Sequence, residues 1–355
     1  MAITQDAQNE GERPLPRGIR LRHGKAEDEF ATFDVMRRAM NYDMQWSQHA
    51  LLRQHLRSTP DTSFWIAEDT PLLGAPRVIG YARSVVRETV WSLTEFFVLP
   101  GHHRQGIGRA LLDHCLTDGA AAGADTRMVL ASQHPGADSL YVRKAGCFPR
   151  LPMLLLSGSL ASLCSARKSF APIEDTILTV PGAVSSESGT RLRAEPLVRT
   201  PEVAAALDAL DREIVGYARP QEHAFWEQVM GGPDGPARLF RRVPAGRSAS
   251  TEDDEIAGYA YIGATSSGPA LARDPADLPP MLAHVAGAAR ELLQEDTLEP
   301  LDTLPQYWAL AGVNETVLRW LLERGWQIVF QYLFMSSRPF GRLDHYVCHN
   351  PLYIL

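Results

Sequence analysis

The hydrophobic period changes repeatedly along the chain. Ile19–Arg22 alternates apolar and charged positions, the two-residue period of a half-buried strand. Over residues 27–57 the spacing lengthens. Phe30, Phe33, Met36 and Met40 recur at three and four residues, which predicts an amphipathic region of two helices. The runs Phe64–Glu68, Val78–Val86 and Val90–Leu99 are rich in β-branched and aromatic residues and predict three strands. A Pro/Gly turn, LLGAPR, joins the first two. Ile107–Thr117 predicts a helix, with Ile107, Ala110, Leu111, His114 and Cys115 on one face. A strand at Met128–Ser132, a helix at Ala137–Ala145 stopped by Gly146, and a strand at Met153–Ser157 complete this half.

Residues 159–190 are rich in Ser, Gly and Pro and lack periodicity, the composition of a linker. A second half begins at Arg191 and weakly repeats the first. Arg20-Leu21-Arg22 returns as Arg191-Leu192-Arg193, Gly80-Tyr81-Ala82 as Gly258-Tyr259-Ala260, and the helix end at Gly146 as the one at Gly325. The three matches keep their order and nearly one offset, which predicts two copies of one fold. Val243–Asp254 reads as a mobile hairpin insertion in the second copy, Gln331–Ser336 as a buried strand, and 341–355 as an irregular tail.

Composition narrows the class. The 355 residues allow two domains, and 45% hydrophobic with 22% charged residues is the globular range. The formal charge of −7, from 35 basic and 42 acidic residues, argues against a dedicated nucleic-acid binder. Cysteines 115, 147, 164 and 348 form no C-x-x-C pair and no metal-ligand spacing, so no metal is expected. Residues 1–17 read as a disordered leader without the apolar core of a secretory signal, and the longest uncharged stretch is too short to span a membrane. A cytoplasmic protein is expected.

One stretch carries chemistry: EFFVLPGHHRQGIGRALL, residues 95–112. A strand ends at Pro100, a basic loop follows, and a helix begins near Ile107. Backbone N–H groups at a helix start favour an anion, and the helix dipole adds to the effect. Gly106 and Gly108 carry no side chain, so a phosphate can reach the backbone; Arg104 and Arg109 add positive charge. The spacing is neither a Walker loop nor a dinucleotide fingerprint.

The stretch resembles motif A of the GCN5-related N-acetyltransferase (GNAT) superfamily, V-x-P-x-x-[RQ]-x-x-G-x-[GA]. Val98, Pro100, Gly106 and Gly108 fit, and His103 stands where Arg or Gln is usual. Residues 133–148, QHPGADSLYVRKAGCF, resemble the family's N-P-x-A-x-x-L-Y-x-x-x-G-F element. The resemblance covers roughly 18–158. It implies an α/β (α+β) architecture of two tandem GNAT-like domains, 18–158 and 191–340, each with a mixed, mostly antiparallel central sheet flanked by helices. It implies acetyl-CoA as co-substrate, held by Phe97, Val98, Leu99, His103, Arg104, Gln105, Gly106, Ile107, Gly108, Arg109 and Ala110. Acetyl transfer to an amine in a ternary complex needs a proton acceptor and a donor for the departing thiolate. Tyr141 occupies the position of the family's usual acid. Glu95 is the candidate base, acting through water, and His134, where Asn is common, is a candidate to orient the pantetheine or relay a proton.

In the second half no Arg/Gly loop precedes the corresponding helix; Pro279-Pro280 stand there instead, and the Tyr141 position becomes Trp320. This copy resembles a degenerate tandem-GNAT half. Arg219 and His223 read either as a solvated helix terminus with Phe225 and Trp226 packed inward or as candidates to bind an acidic group of the acceptor. The expected activity is N-acetylation of a small-molecule amine such as an amino acid, polyamine, aminosugar or aminoglycoside-like compound, by a monomer or homodimer, with no nucleic-acid or membrane partner. The alternative is a non-catalytic acyl-CoA-binding sensor or assembly protein.

Overall fold

A computed structural model describes residues 14–41, 46–60, 62–164, 176–179, 191–230, 235–243, 254–263, 267–296 and 305–348. Most of the expected leader, all but the two ends of the expected 243–254 hairpin and the last seven residues lie outside the described residues. The chain divides into two compact units: residues 1–129 with 138–147, and residues 130–137 with 148–355.

The elements of the first half are β1 (Ile19–His23), α1 (Glu29–Met40), α2 (Trp46–Ser58), β2 (Thr62–Asp69), β3 (Arg77–Arg87), β4 (Val90–Val98), α3 (Ile107–Ala121), β5 (Thr126–Ala131) and α4 (Pro135–Leu140). In the first unit the strands lie in the order β1-β2-β3-β4-β5. They are antiparallel as far as β4, and β5 then runs parallel to β4. Helix α3 buries Ile107, Leu111 and Cys115 of the face its spacing predicts, with Leu112 and Gly119, while Ala110 and His114 of that face are half-buried. Gly119 lets the helix close on β4, because a Cβ there would lie 2.3 Å from the Trp91 ring. The Trp91 indole donates to Cys115 O (3.0 Å), and Asp118 accepts from Ser63 Oγ (2.5 Å) and Trp65 Nε1 (2.7 Å). These contacts fix where α3 begins.

The remaining elements are β6 (Phe148–Gly158), α5 (Leu160–Leu163), β7 (Thr176–Thr179), β8 (Arg191–Pro196), α6 (Pro201–Ile214), α7 (Pro220–Met230), β9 (Arg238–Val243), β10 (Ile256–Ile262), β11 (Ser267–Ala272), α8 (Leu278–Asp296), β12 (Gln306–Ala311), α9 (Glu315–Leu322), β13 (Gln327–Ser336) and β14 (Tyr346–Cys348). Their sheet order in the second unit is β13-β6-β12-β14-β11-β10-β9-β8-β7.

The element sequence β1-α1-α2-β2-β3-β4-α3-β5-α4-β6 recurs as β8-α6-α7-β9-β10-β11-α8-β12-α9-β13. The sequence repeats fall on matching places. Arg20–Arg22 and Arg191–Arg193 lie on β1 and β8. Gly80 of β3 pairs with Val98 of β4, and Gly258 of β10 with Ala272 of β11. A Cβ on either glycine would strike the neighbouring strand, Phe97 O at 3.0 Å or Leu271 O at 2.1 Å. Gly146 and Gly325 both take left-handed φ, +64° and +82°, after the fourth helix of each copy. The chain is thus a tandem repeat of one mixed, mostly antiparallel fold.

Three boundary expectations are corrected. The first half does not close as a compact unit at 158: β6 pairs with β12 along one edge and β13 along the other, so its backbone is satisfied within the second unit. The expected linker contains α5 and β7, the latter paired with β8. The expected irregular tail contains β14, which lies inside the sheet rather than at its edge. Strand β11 was also missed, because Ser267-Gly268-Pro269 reads as a turn.

Candidate functional site

Strand β4 sets the geometry of the site. It pairs with β3 along its length, with a register shift that leaves Thr94 as an extra residue; Thr94 Oγ1 donates to Arg83 O at 3.0 Å. On the other side, the parallel pairing with β5 runs from Val90↔Thr126 to Leu93↔Val129. The ladder does not continue over Thr94–Val98. A bulge followed by a lost ladder is how a sheet turns one strand's backbone toward a ligand.

The loop after β4 makes a tight 3-10 turn at Pro100–His102, then Arg104 takes φ +61° and Gly106 φ +85°. The left-handed Gly106 aims the chain into α3. The first backbone bond of the helix runs from Ala110 N to Gly106 O (3.0 Å), so the N–H groups of Ile107, Gly108 and Arg109 precede the ladder. A Cβ built on Gly106 meets nothing within 4 Å, so the space before these amides is open. Gly108 allows a different contact: its Cβ would lie 3.2 Å from the tip of Phe96. Among the predicted binding residues, Ile107 and Leu99 are buried. Phe97, Val98, Gln105, Gly106, Gly108, Arg109 and Ala110 are half-buried, and His103 and Arg104 are exposed. This loop fits a diphosphate group, which needs N–H donors, room and positive charge. His103 is the exception in the set. Its Nε2 lies 2.8 Å from Val98 O, so that nitrogen is engaged with the strand backbone rather than offered as a donor to an anion.

Tyr141 opens a π-helical turn, Tyr141–Ala145, that ends at left-handed Gly146. Its ring packs on Phe96, centroids 5.9 Å apart, so Gly108, Phe96 and Tyr141 form one contiguous set in the first unit. Burial pushes the Tyr141 phenol well above its ordinary value, and the nearby Asp138 carboxylate adds to this. The group is therefore fully protonated at neutral pH, the state a proton donor needs. Release of that proton becomes favourable only beside a group that can take it.

Glu95 does not have the surroundings of a base. Its carboxylate has no solvent exposure and lies 3.2 Å from Arg53 Nη1 and 3.0 Å from Arg83 Nε. The same arginines bond Glu29, Arg53 Nε to Oε2 at 2.9 Å and Arg83 Nη2 to Oε1 at 2.8 Å. Arg53 Nη2 also donates to Thr32 Oγ1 (2.6 Å). Two carboxylates and two guanidiniums thus tie α1, α2, β3 and β4 together beside the Thr94 bulge. Two guanidiniums face the buried Glu95 carboxylate. The expected base is thus engaged by Arg53 and Arg83 and buried among them. Of its partners, Arg83 was legible as a charge inside the apolar run Val78–Val86. Glu29 and Arg53 gave no such signal on their helices.

His134 belongs to the second unit by contact. Its Nδ1 accepts from Ala137 N (3.3 Å) at the start of α4. This bond places the ring proton on Nε2, so the ring donates rather than accepts there.

The matching region of the second repeat is built differently. Helix α8 starts Leu278-Pro279-Pro280, so two of its first amides are absent. Asp277 precedes it, buried and bonded by Arg242 Nη2 at 2.8 Å. Arg219 and His223 are not available to an acceptor. Both are buried in a network with Asp211, Tyr259, Tyr261 and Tyr346. Burial pushes the Asp211 carboxyl up, but Arg219 and His223 outweigh it and hold the group well below the usual carboxylate range.

The four cysteines are free thiols, with 115, 147 and 348 buried. Among the described residues no group of His, Cys, Asp and Glu could hold a metal ion, and no helix is long and apolar enough to cross a membrane.

Comparison with known proteins agrees with this layout. The model of the acetyltransferase (GNAT) family matches residues 29–147. No curated protein matches the sequence significantly. Among solved structures, a GCN5-related N-acetyltransferase from Sphaerobacter thermophilus aligns over 93% of this chain and 99% of its own, with a TM-score of 0.59 at 13% identity. A Pyrococcus horikoshii protein provisionally described as an acetyltransferase aligns over 96% of both chains, with a TM-score of 0.61 at 15% identity. A tandem GNAT protein from the clavulanic acid biosynthesis pathway aligns over 91% of this chain and all of its own, with a TM-score of 0.51 at 16% identity. At these identities the alignments show the fold. With the family match over the first repeat, they make residues 29–147 a domain of the acetyltransferase (GNAT) family, followed by a second repeat of the same fold.

Proposed function

We propose that this protein transfers the acetyl group of acetyl-CoA to the amine of a small molecule, in a ternary complex, with its active site in the first unit. The observation that carries this reading is the join of the unladdered Thr94–Val98 segment of β4 to the open amides behind Gly106. The pyrophosphate binds the N–H groups of Ile107, Gly108 and Arg109, which precede the helix ladder, with Arg104 and Arg109 supplying charge. The pantetheine arm bonds the backbone of Phe97 and Val98, since Leu99 N already donates to Ile79 O at 2.8 Å. Those backbone donors also stabilise the oxyanion that develops as the amine attacks the thioester.

Tyr141 gives its proton to the departing thiolate. The amine attacks in its neutral form and releases its second proton to solvent through water, since Glu95 is engaged by Arg53 and Arg83. The rate is then expected to rise with pH as the acceptor's ammonium deprotonates.

The test is a calorimetric titration of acetyl-CoA into wild type and a Gly106→Glu, Gly108→Glu variant that still melts cooperatively. Wild type is expected to bind at about −8 kcal/mol, roughly micromolar, and the variant not at all. Absence of binding in wild type sinks the reading.

The ion-paired Glu95 favours a second reading, a protein that binds acyl-CoA without turnover. Thiol release from acetyl-CoA, unaccelerated by every member of an amine panel, would select it.

A further inference from the structure

Strands β11 and β12 of the second repeat match β4 and β5 of the first. Each pair follows the glycine-bearing strand, β10 or β3, and brackets the long helix, α8 or α3. In the first repeat the two strands run parallel and touch for four residue pairs before the ladder stops. In the second repeat they are also parallel, yet β14 lies between them. It is antiparallel to both: Ala270↔Val347 and Leu271↔Tyr346 on one side, Leu310↔Val347 and Ala309↔Cys348 on the other. Val347 therefore faces β11 with one edge of its backbone and β12 with the other.

The insertion is anchored. Residues 346–348 are buried, Cys348 completely. Arg219 Nη1 donates to the Tyr346 hydroxyl at 2.6 Å, and Asn314 Nδ2 donates to Tyr346 O at 3.2 Å. Asn314 also caps α9 through Val317 N (3.1 Å), so one side chain ties the tail strand to the helix after β12. Just upstream, His345 Nδ1 lies 3.0 Å from Ala272 O, and Arg342 N donates to Ile214 O at 2.6 Å. The buried networks of the two repeats differ in the same sense. In the first, β4 itself supplies Glu95. In the second, Tyr346 from β14 joins the network through Arg219.

A short segment added to a finished sheet joins at an edge, where unpaired N–H and C=O groups wait. Here it joins in the middle. That position requires two parallel strands left unladdered, as β4 and β5 are after Leu93↔Val129 in the first repeat.

We infer that Tyr346–Cys348 fill, in the second repeat, the slot that takes the pantetheine arm in the first, so that this repeat binds a strand of its own chain in place of an acyl-CoA. The identification of the slot rests on the proposed acetyl-CoA site along β4. The backbone groups of β11 and β12 that would face the arm are spent on β14. Pro279 and Pro280, behind the Asp277 carboxylate, remove the anion cradle that the arm's diphosphate would need.

The test is hydrogen–deuterium exchange on the full chain, with and without saturating acetyl-CoA, alongside the calorimetric stoichiometry. One acetyl-CoA per chain is expected, with protection gained over 96–110. Amides 346–348 should exchange slowly and change by less than about twofold on binding. Val347→Pro removes a ladder N–H at the centre of the three-residue strand and should raise exchange at least about tenfold at the amides of 267–272 and 306–311 that face β14, with acetyl-CoA uptake unchanged. Tyr346→Phe is the milder variant if the proline chain does not fold. Loss of its bond to Arg219 should speed exchange at 346–348 about tenfold. Two acetyl-CoA per chain, or exchange at 346–348 that accelerates on binding, overturns the inference and leaves the first site standing. Slow exchange at those β14-facing amides in Val347→Pro overturns it too. No uptake at all overturns the function and the inference together.

Discussion

The starts of α3 and α8 occupy the same place in two copies of one fold and do opposite things. Helix α3 is entered through left-handed Gly106, with arginines at 104 and 109 and open space before its amides. Helix α8 is entered through Asp277 and two prolines. The first arrangement leaves N–H groups and positive potential for an anion from outside; the second supplies a carboxylate from within and deletes two donors. The flanking strands agree, with β4 released from β5 in one copy and β11 bridged to β12 by β14 in the other. Fold and binding chemistry have separated: the scaffold survives where the cradle does not, because the sheet and helices are held by burial, not by the loop.

Disrupting the buried networks breaks the comparison most severely. Glu95→Gln leaves Arg53 and Arg83 with one carboxylate fewer in a dry interior, and Asp211→Asn does the same to Arg219. Each is expected to cost about 3–5 kcal/mol, read as a drop in the melting midpoint. At a temperature where Glu95→Gln remains folded, its turnover should stay near wild type. A loss of a hundredfold or more there would restore Glu95 as the base.

Next comes the proposed proton donor. Tyr141→Phe should lower kcat by about a hundredfold with acetyl-CoA affinity unchanged. Trp320→Phe, at the matching place in the second repeat, should change neither. Single-turnover thiol release distinguishes the two.

A smaller effect separates α8 as a packing element. Burial, with Arg238 adding, pushes His284 from 6.5 down to about 4. Its folded value is below its unfolded one, so the unfolded chain takes up the proton first. Stability is fully present above about pH 6.5 and falls as pH drops toward 4, by on the order of 2 kcal/mol. Removing the titrating group with His284→Leu should flatten that slope in melts between pH 7 and pH 4.

The smallest concerns Gly108. An added methyl would sit 3.2 Å from Phe96, a contact that a few tenths of an ångström relieves. Gly108→Ala should change stability by less than about 1 kcal/mol while weakening acetyl-CoA binding measurably. Gly106→Ala, forced to keep φ +85°, should lose about 1–2 kcal/mol.

Much of this was legible in the chain. The helical face of Ile107, Leu111 and Cys115 is local periodicity, and the two-glycine basic loop between an apolar strand and that helix is local chemistry. The repeat could be read from three short matches because each sits where backbone geometry restricts choice: a paired strand start, a glycine against a neighbouring backbone, a left-handed helix end. What escaped was non-local. Tyr346–Cys348 is too short to show a period, and its strand character comes from two partners 36 or more residues away in sequence. Phe148–Gly158 continues the first copy in sequence and pairs with the second. Glu95 has the same sequence whether it faces water or two arginines.

The sequence by itself therefore determined the fold of each copy, the place of the two-glycine basic loop before α3 and the absence of such a loop before α8, because each depends on residues close together in the chain. The tertiary structure decided which charges are spent inside the protein and which strand fills the gap between β11 and β12. Both depend on hydrogen-bond partners brought together only when the sheet forms, and a buried polar group takes whichever partner lies within reach.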